Sequence, residues 1–260
     1  MPSVTLASVV RAEWIKFRTV RSTGAGYAVT FALTIGIGAL IAAAIRGHWQ
    51  TMDPLAKLAF DPVSTSLGGI LFAQFAVGVI GILFITSEYA TGSIRTTLAA
   101  TPRRVQVAAA KLIVLLSATI VVAEIVVVVA FLIGQRIFAG VVPTASMASA
   151  PVLRSVLLGG VYLALLGAFG FGLGLILRHQ SAAISVFTSL LLVIPIVIFV
   201  LPQSWQDSIT RYEPSALGRA MMSTTSPPQL FAAWPATTVL ATYVIVTLAS
   251  GALLLVHRDA

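Results

Sequence analysis

Six stretches of this chain are each long and apolar enough to cross a bilayer, and that constrains the fold more than any other feature. Crossing the roughly 30 Å hydrocarbon core takes about 20 apolar residues in a helix. The stretches are residues 25–45, 66–87, 112–135, 156–177, 182–201 and 235–256. Five contain no charged residue, and 112–135 contains only Glu124. None alternates with a two-residue period, whereas membrane-spanning strands run about ten residues and alternate. The expected fold class is an all-α membrane protein. It comprises a single transmembrane domain over residues 1–260, with six transmembrane helices.

Composition agrees with this reading. The chain is 58% hydrophobic and 9% charged, where soluble domains carry about 25% charged residues. So few charges could not cover a globular surface, which excludes an ordinary soluble enzyme and a disordered tail. There is no Cys, so disulfides and thiolate metal sites are excluded. The first stretch includes Ala42-Ala43-Ala44, which a signal peptidase could favour. It is longer than a signal h-region of about 7–15 residues, so an uncleaved first helix is expected.

Basic residues orient the spans, because cytoplasmic loops carry the excess of Lys and Arg. Arg11, Lys16, Arg18, Arg21, Arg95, Arg103, Arg104, Lys111, Arg178 and Arg258 fall on one side. Arg46, Lys57, Arg136, Arg154, Arg211 and Arg219 fall on the other. The first side is read as cytoplasmic, which places both termini inside. The net charge of +8 is thus a topology signal, and no nucleic-acid partner is expected. Trp14, Trp49, Trp205 and Trp234 all lie near span ends, as in an aromatic belt.

Three segments outside the spans are informative. In residues 5–21, Leu6, Val9, Val10, Trp14, Phe17 and Val20 recur at helical steps, with Arg11, Lys16, Arg18 and Arg21 mostly off the stripe. This predicts a basic amphipathic helix in the membrane interface, with Glu13, Trp14, Lys16, Phe17 and Arg18 as its central residues. The 88–111 connection predicts a short cytoplasmic helix carrying Ile94 and Leu98 one turn apart. Thr101-Pro102 would end it, because the residue before Pro avoids the helical region. The Pro-rich segment 202–234 predicts one or two short external helices, interrupted at Pro214. Within the fourth span, Gly160, Ala164, Ala168 and Gly172 recur every four residues. Such a stripe allows close helix approach, either at a moving interface or in ordinary bundle packing.

Catalytic signatures are few. There is no G-x-x-x-x-G-K-S/T phosphate loop, no H-E-x-x-H and no G-x-S-x-G. His48, His179 and His257 fall in different loops, so no metal site is expected from them. Glu124 is the one acidic residue deep in a span. An ionised central residue costs about 2.5–3.5 kcal/mol on insertion scales, so it is expected to face the bundle, a partner or a wet cavity. Either a packing role or a role in contacting substrate or carrying a proton is open to it.

The order of elements resembles type-2 ABC transporter permeases, the membrane subunits of bacterial exporters. The resemblance rests on 13–23, EWIKFRTVRST, similar to an actinobacterial N-terminal signature. It rests also on 88–104, with its E-x-x-x-G-x-I-R-x-x-L-x-x-x-P-x-R pattern, and on the ending LLLVHRDA. In the last, His257 stands where the family more often has Arg. The resemblance covers essentially the whole chain. It implies a permease in the bacterial cell membrane that pairs with a second permease copy or homologue. It implies docking on a separate ABC ATPase subunit, which would hold ATP and Mg, while this chain binds no cofactor and carries no catalytic residues. Glu88, Gly92, Ile94, Arg95, Leu98, Pro102 and Arg103 would form the ATPase-coupling segment. The implied cargo is lipophilic: a drug, antibiotic, peptide or lipid-linked compound. A membrane-embedded enzyme or a non-transport scaffold is the competing class.

Overall fold

The computed structural model describes residues 5–93, 104–225 and 229–257, and all regular structure among them is helical. Helix α1 spans Leu6–Thr19. After Val20 alone, α2 runs Arg21–Thr51, with a π-helical turn at Leu33–Ile37. Two short helices follow, α3 Pro54–Leu58 and α4 Pro62–Ser66. Then come α5 Ile70–Thr91, α6 Arg104–Phe138 and α7 Ala150–Leu177. Helix α8 runs Gln180–Val200, with a second π-turn at Ser189–Val193 just before Pro195. Two short helices, α9 Gln203–Ile209 and α10 Pro214–Met222, lead to α11, Ala233–His257.

Helices α2, α5, α6, α7, α8 and α11 are long and apolar enough to cross a membrane. Their outer surfaces expose Leu40, Val121, Ile125, Phe199 and Val200. Such a belt would be a liability in water, and it suits a lipid surround. The chain is therefore a multi-pass, all-helical membrane protein. Helix α7 is the hub: 78% of its most apolar window is buried, against 22% for α2, α8 and α11. It packs on α5, α6, α10 and α11.

The small residues of α7 serve three neighbours. Added Cβ atoms on Gly167 and Gly170 would press on Val77 and the Gly78 carbonyl of α5. Gly160 faces the Glu124 carboxyl of α6, and Gly172 faces Thr247 of α11. Helices α5 and α7 cross closely, since a Cβ on Gly81 would overlap the Gly167 carbonyl.

Several boundaries differ from the sequence expectation. Helix α2 begins at Arg21, four residues before the expected start of the first span at 25, with only Val20 between it and α1. The second span starts at Ile70 because Asp61 caps a separate helical turn that begins at Pro62. Next to it, Gly69 packs against the Leu33 and Thr34 carbonyls at the α2 π-turn, where a Cβ would overlap them. Helix α6 extends N-terminally to Arg104, so residues 104–111, expected in a connection, are helical. Segment 202–234, expected to hold one or two short helices, holds α9 and α10, with Glu213 capping α10 through the Ser215 N–H at 3.2 Å. Helix α10 is not a surface element, however. Eight of its nine residues are buried, and it packs on α7 and α11.

The opposite end of the bundle gathers α1, the α5 C-terminus, the α6 N-terminus and the end of α11. There Arg104 and Arg178 donate to the carbonyls of Leu255 and Leu254, at 3.2 and 3.0 Å. Basic groups at a helix C-terminus satisfy its orphan carbonyls and its dipole.

Candidate functional site

At that end, four charged side chains from three helices close into a ring. Glu13 and Lys16 lie one turn apart on α1. Glu88 is in the last turn of α5, and Lys111 lies two turns into α6. Lys111 Nζ donates to Glu13 Oε2 at 2.6 Å and to Glu88 Oε1 at 2.8 Å. Lys16 Nζ donates to Glu13 Oε1 at 3.0 Å and to Glu88 Oε1 at 3.2 Å. Two carboxylates and two ammoniums make the ring neutral. Lys111 and Glu13 are sealed, with side chains 1% and 2% exposed, while Lys16 remains 44% exposed. Glu88 Oε2 is buried without a hydrogen-bond partner among the described residues.

Such a ring is specific rather than cheap. Desolvating each ion costs several kcal/mol, repaid only with good geometry and full hydrogen bonding. Lys111 has both carboxylates and also sits 4.8 Å from the Phe84 ring centre, in cation–π range. Burial alone pulls the Lys16 ammonium down. The hydrogen bond to Glu13 and the charges of Glu88 and Glu13 outweigh it, so Lys16 titrates above its ordinary value of 10.5.

Aromatic contacts connect the ring to a cleft. Phe17 of α1 meets Phe84 edge-on at 5.0 Å, and Phe84 in turn packs on Phe171 of α7 at 6.4 Å. Phe84 also lines a cleft of about 660 Å³ between α2 and α5, walled by Gly26, Val29 and Leu33 on one side and Phe75 and Val79 on the other. The cleft is apolar, with Ser22, Ser87 and Gln180 among its few polar lining residues.

The structure thus brings together Glu13, Lys16, Phe17 and Glu88 of the predicted residues. It also corrects the stripe on α1. The buried face is Val9, Glu13 and Phe17, whereas Leu6, Trp14 and Val20 are exposed. A carboxylate occupies the inward face because its counter-charge arrives from α6. Arg18 is exposed. Gly92 ends α5 in the left-handed conformation, φ 71°, which a glycine adopts without strain. Ile94, Arg95, Leu98, Pro102 and Arg103 lie outside the described residues. Lys111 was not singled out by sequence reasoning. The available signal was that Glu13 and Glu88 are rare carboxylates on the basic side, and each needs a cation.

Glu124 lies halfway along α6 over Gly160, whose missing Cβ leaves room for the carboxyl. One of its oxygens is buried with no hydrogen-bond partner among the described residues.

A second polar cluster sits at the far end, around α10. Tyr162 of α7 donates to Gln74 Oε1 of α5, and Gln74 Nε2 donates to the Leu71 carbonyl at 2.7 Å and to Ser215 Oγ at 3.4 Å. Burial holds the Glu213 carboxyl above the usual carboxylate range, against the opposing effects of Ser215 and Arg219. Arg154 and Ser155 of α7 both donate to the Ser223 carbonyl, at 2.8 and 3.1 Å, fixing the end of α10. Among the described residues, no three His, Asp or Glu side chains gather as a metal site would need. No protein-family model matches the sequence, and no curated protein matches it.

Proposed function

We propose that this chain is the membrane-spanning permease subunit of an ATP-driven exporter of the type-2 ABC class, working with a separate ATPase and a second permease copy or homologue. The observation that carries the reading is the buried ring. It ties α1 to the two spans that flank segment 92–103, the segment expected to meet the ATPase. A permease with no ATP site must receive work mechanically, and a sealed ionic joint transmits displacement because its partners cannot part cheaply. Displacing α1 or the flanking segment moves Lys111 and Glu88, and with them Phe84. Phe84 lines the α2–α5 cleft, whose apolar walls suit a lipophilic cargo. In this reading α1 and segment 92–103 face the cytoplasm of a bacterial cell, in line with the basic residues of that end.

Purification in mild detergent tests the proposal. An ATP-binding chain bearing a phosphate loop should accompany the protein and hydrolyse ATP. Leu98→Asp should lower its association and its activity, while the permease remains inserted. Recovery without any such chain would favour a membrane enzyme or scaffold. Topology is tested separately in this Cys-free chain. Single cysteines at Ser146 or Ser208 should react with an impermeant maleimide in intact cells, and a cysteine at Ser93 should not. Labelling at Ser93 would reverse the orientation.

A further inference from the structure

Next to the cleft, which it meets at Thr23 of α2, a groove of about 490 Å³ opens between α1, α2 and α6. Trp14 and Arg18 stand at its mouth on α1, and Ser117, Ala118, Val121 and Val122 form its wall on α6. Val121 lies ten residues beyond Lys111, about 15 Å deeper at 1.5 Å per residue. The groove therefore runs from the charged end into the apolar part of the bundle. Two of its few polar groups are already satisfied: Tyr27 pairs with Thr119 Oγ1 at 2.7 Å, and Ser117 donates to the Val114 carbonyl at 3.0 Å. Apart from Thr23, the lining below the mouth offers little to a polar ligand and much to a hydrocarbon chain.

The mouth is the reverse. Lys16 is absorbed in the ring, but Arg18, and its neighbours Arg11 and Arg21, are exposed and make no hydrogen bond or ion pair among the described residues. No acidic residue lines the groove. Gly24 borders it, and a Cβ built there meets nothing within 4 Å, so the space is open.

We propose that this groove binds one anionic phospholipid, with an acyl chain along Ala118–Val122 of α6 and the headgroup phosphate on Arg18. A guanidinium matches phosphate in bidentate geometry, and an amphipathic Trp14 ring suits the headgroup layer. The exposed Arg18, unpaired among the described residues and beside an apolar wall with no acidic lining residue, favours an anionic lipid over a protein partner, which would meet Arg11 and Arg18 from outside and leave the groove unfilled. Phe17 is shared between this groove and the Phe84 contact, so a bound lipid props α1 against the ring. The proposal does not depend on the cargo or on the ATPase.

Native mass spectrometry of the delipidated protein, titrated with phosphatidylglycerol, phosphatidylcholine or inorganic phosphate, tests it. One phosphatidylglycerol should bind in preference to phosphatidylcholine, and inorganic phosphate should not displace it. Arg18→Gln should weaken phosphatidylglycerol binding roughly fivefold, the scale of one basic residue at an anionic surface. It should leave phosphatidylcholine unchanged. Gly24→Leu, which enters open space, should weaken both lipids. Arg136→Gln, an exposed residue at the far end of α6, should change neither. Wild-type binding by both Arg18→Gln and Gly24→Leu overturns the proposal. So does displacement by phosphate, which would mean an anion site without a chain. Unchanged lipid binding with loss of a co-purifying ATPase in Arg18→Gln would make this surface a protein contact instead.

Discussion

At the end of the bundle that carries α1, two carboxylates and two ammoniums are joined across three helices. At the other end, α10 is held to α5 and α7 by an amide, a phenol and a hydroxyl. Both clusters centre on buried side chains, and each includes a residue of α5, Glu88 at one end and Gln74 at the other. They differ in what breaking them costs. A buried ion that loses its partner keeps its full desolvation penalty. A neutral group that loses one hydrogen bond loses much less. The ionic end therefore holds a fixed geometry or fails, while the neutral end can rearrange.

The comparison breaks most readily at Lys111. Lys111→Met leaves Glu13 and Glu88 with Lys16 alone, and should cost about 3–5 kcal/mol, read as a fall in unfolding midpoint in detergent. Protease should then cut α1 at Val20, the one non-helical residue between α1 and α2. A midpoint shift no larger than that of Lys16→Met would mean that the ring is not sealed. Next in size is Gly81→Val, placed between the two ends of α5. Its side chain would meet the Gly167 carbonyl, and overpacking of this kind costs about 3 kcal/mol. Gly36→Val, where nothing lies within 4 Å of the added Cβ, is the control. If α5 links the ends rigidly, Gly81→Val loosens both, seen as faster amide exchange around Glu88 and around Ser215. Exchange at one end alone would show that the ends act separately.

How much of this was legible beforehand follows the range of the interactions. Spans are local hydropathy, so all six could be read, and Pro214 acted as the punctuation its chemistry requires, whereas the left-handed Gly92 that ends α5 was read only as part of the coupling segment. The inward face of α1 could not be read, because Glu13 points inward only on account of Lys111, 98 residues away. The burial of α10 was equally hidden. Its polar Ser215 looks like surface until Gln74, 141 residues earlier, is placed beside it. Glu124 was legible as a position, and its niche over Gly160 is consistent with the four-residue stripe of small residues on α7.

The neutral end gives the third prediction. Tyr162→Phe leaves Gln74 Oε1 without its donor and should cost about 1–2 kcal/mol, the penalty for one unsatisfied buried acceptor. The α10 segment should loosen while α1 stays protected from protease. Loss of α1 protection in this variant would contradict the separation drawn above.

The smallest effect belongs to Lys16, the ring's solvent-facing member. With a side chain 44% exposed, its pairs are screened, and Lys16→Met should cost only about 0–1 kcal/mol. Its sign with pH is nevertheless defined. The folded protein holds the Lys16 ammonium above its ordinary value of 10.5, so the folded state binds this proton more tightly than the unfolded one. The stabilisation is complete below pH 10.5 and disappears as pH rises through the raised value. Proteolysis at Val20 should accordingly increase in wild type above pH 10.5. In Lys16→Met the same increase should be smaller, because the titrating group is gone. An equal rise in both proteins would assign the alkaline loosening to another group and leave Lys16 as a spectator on the ring's open side.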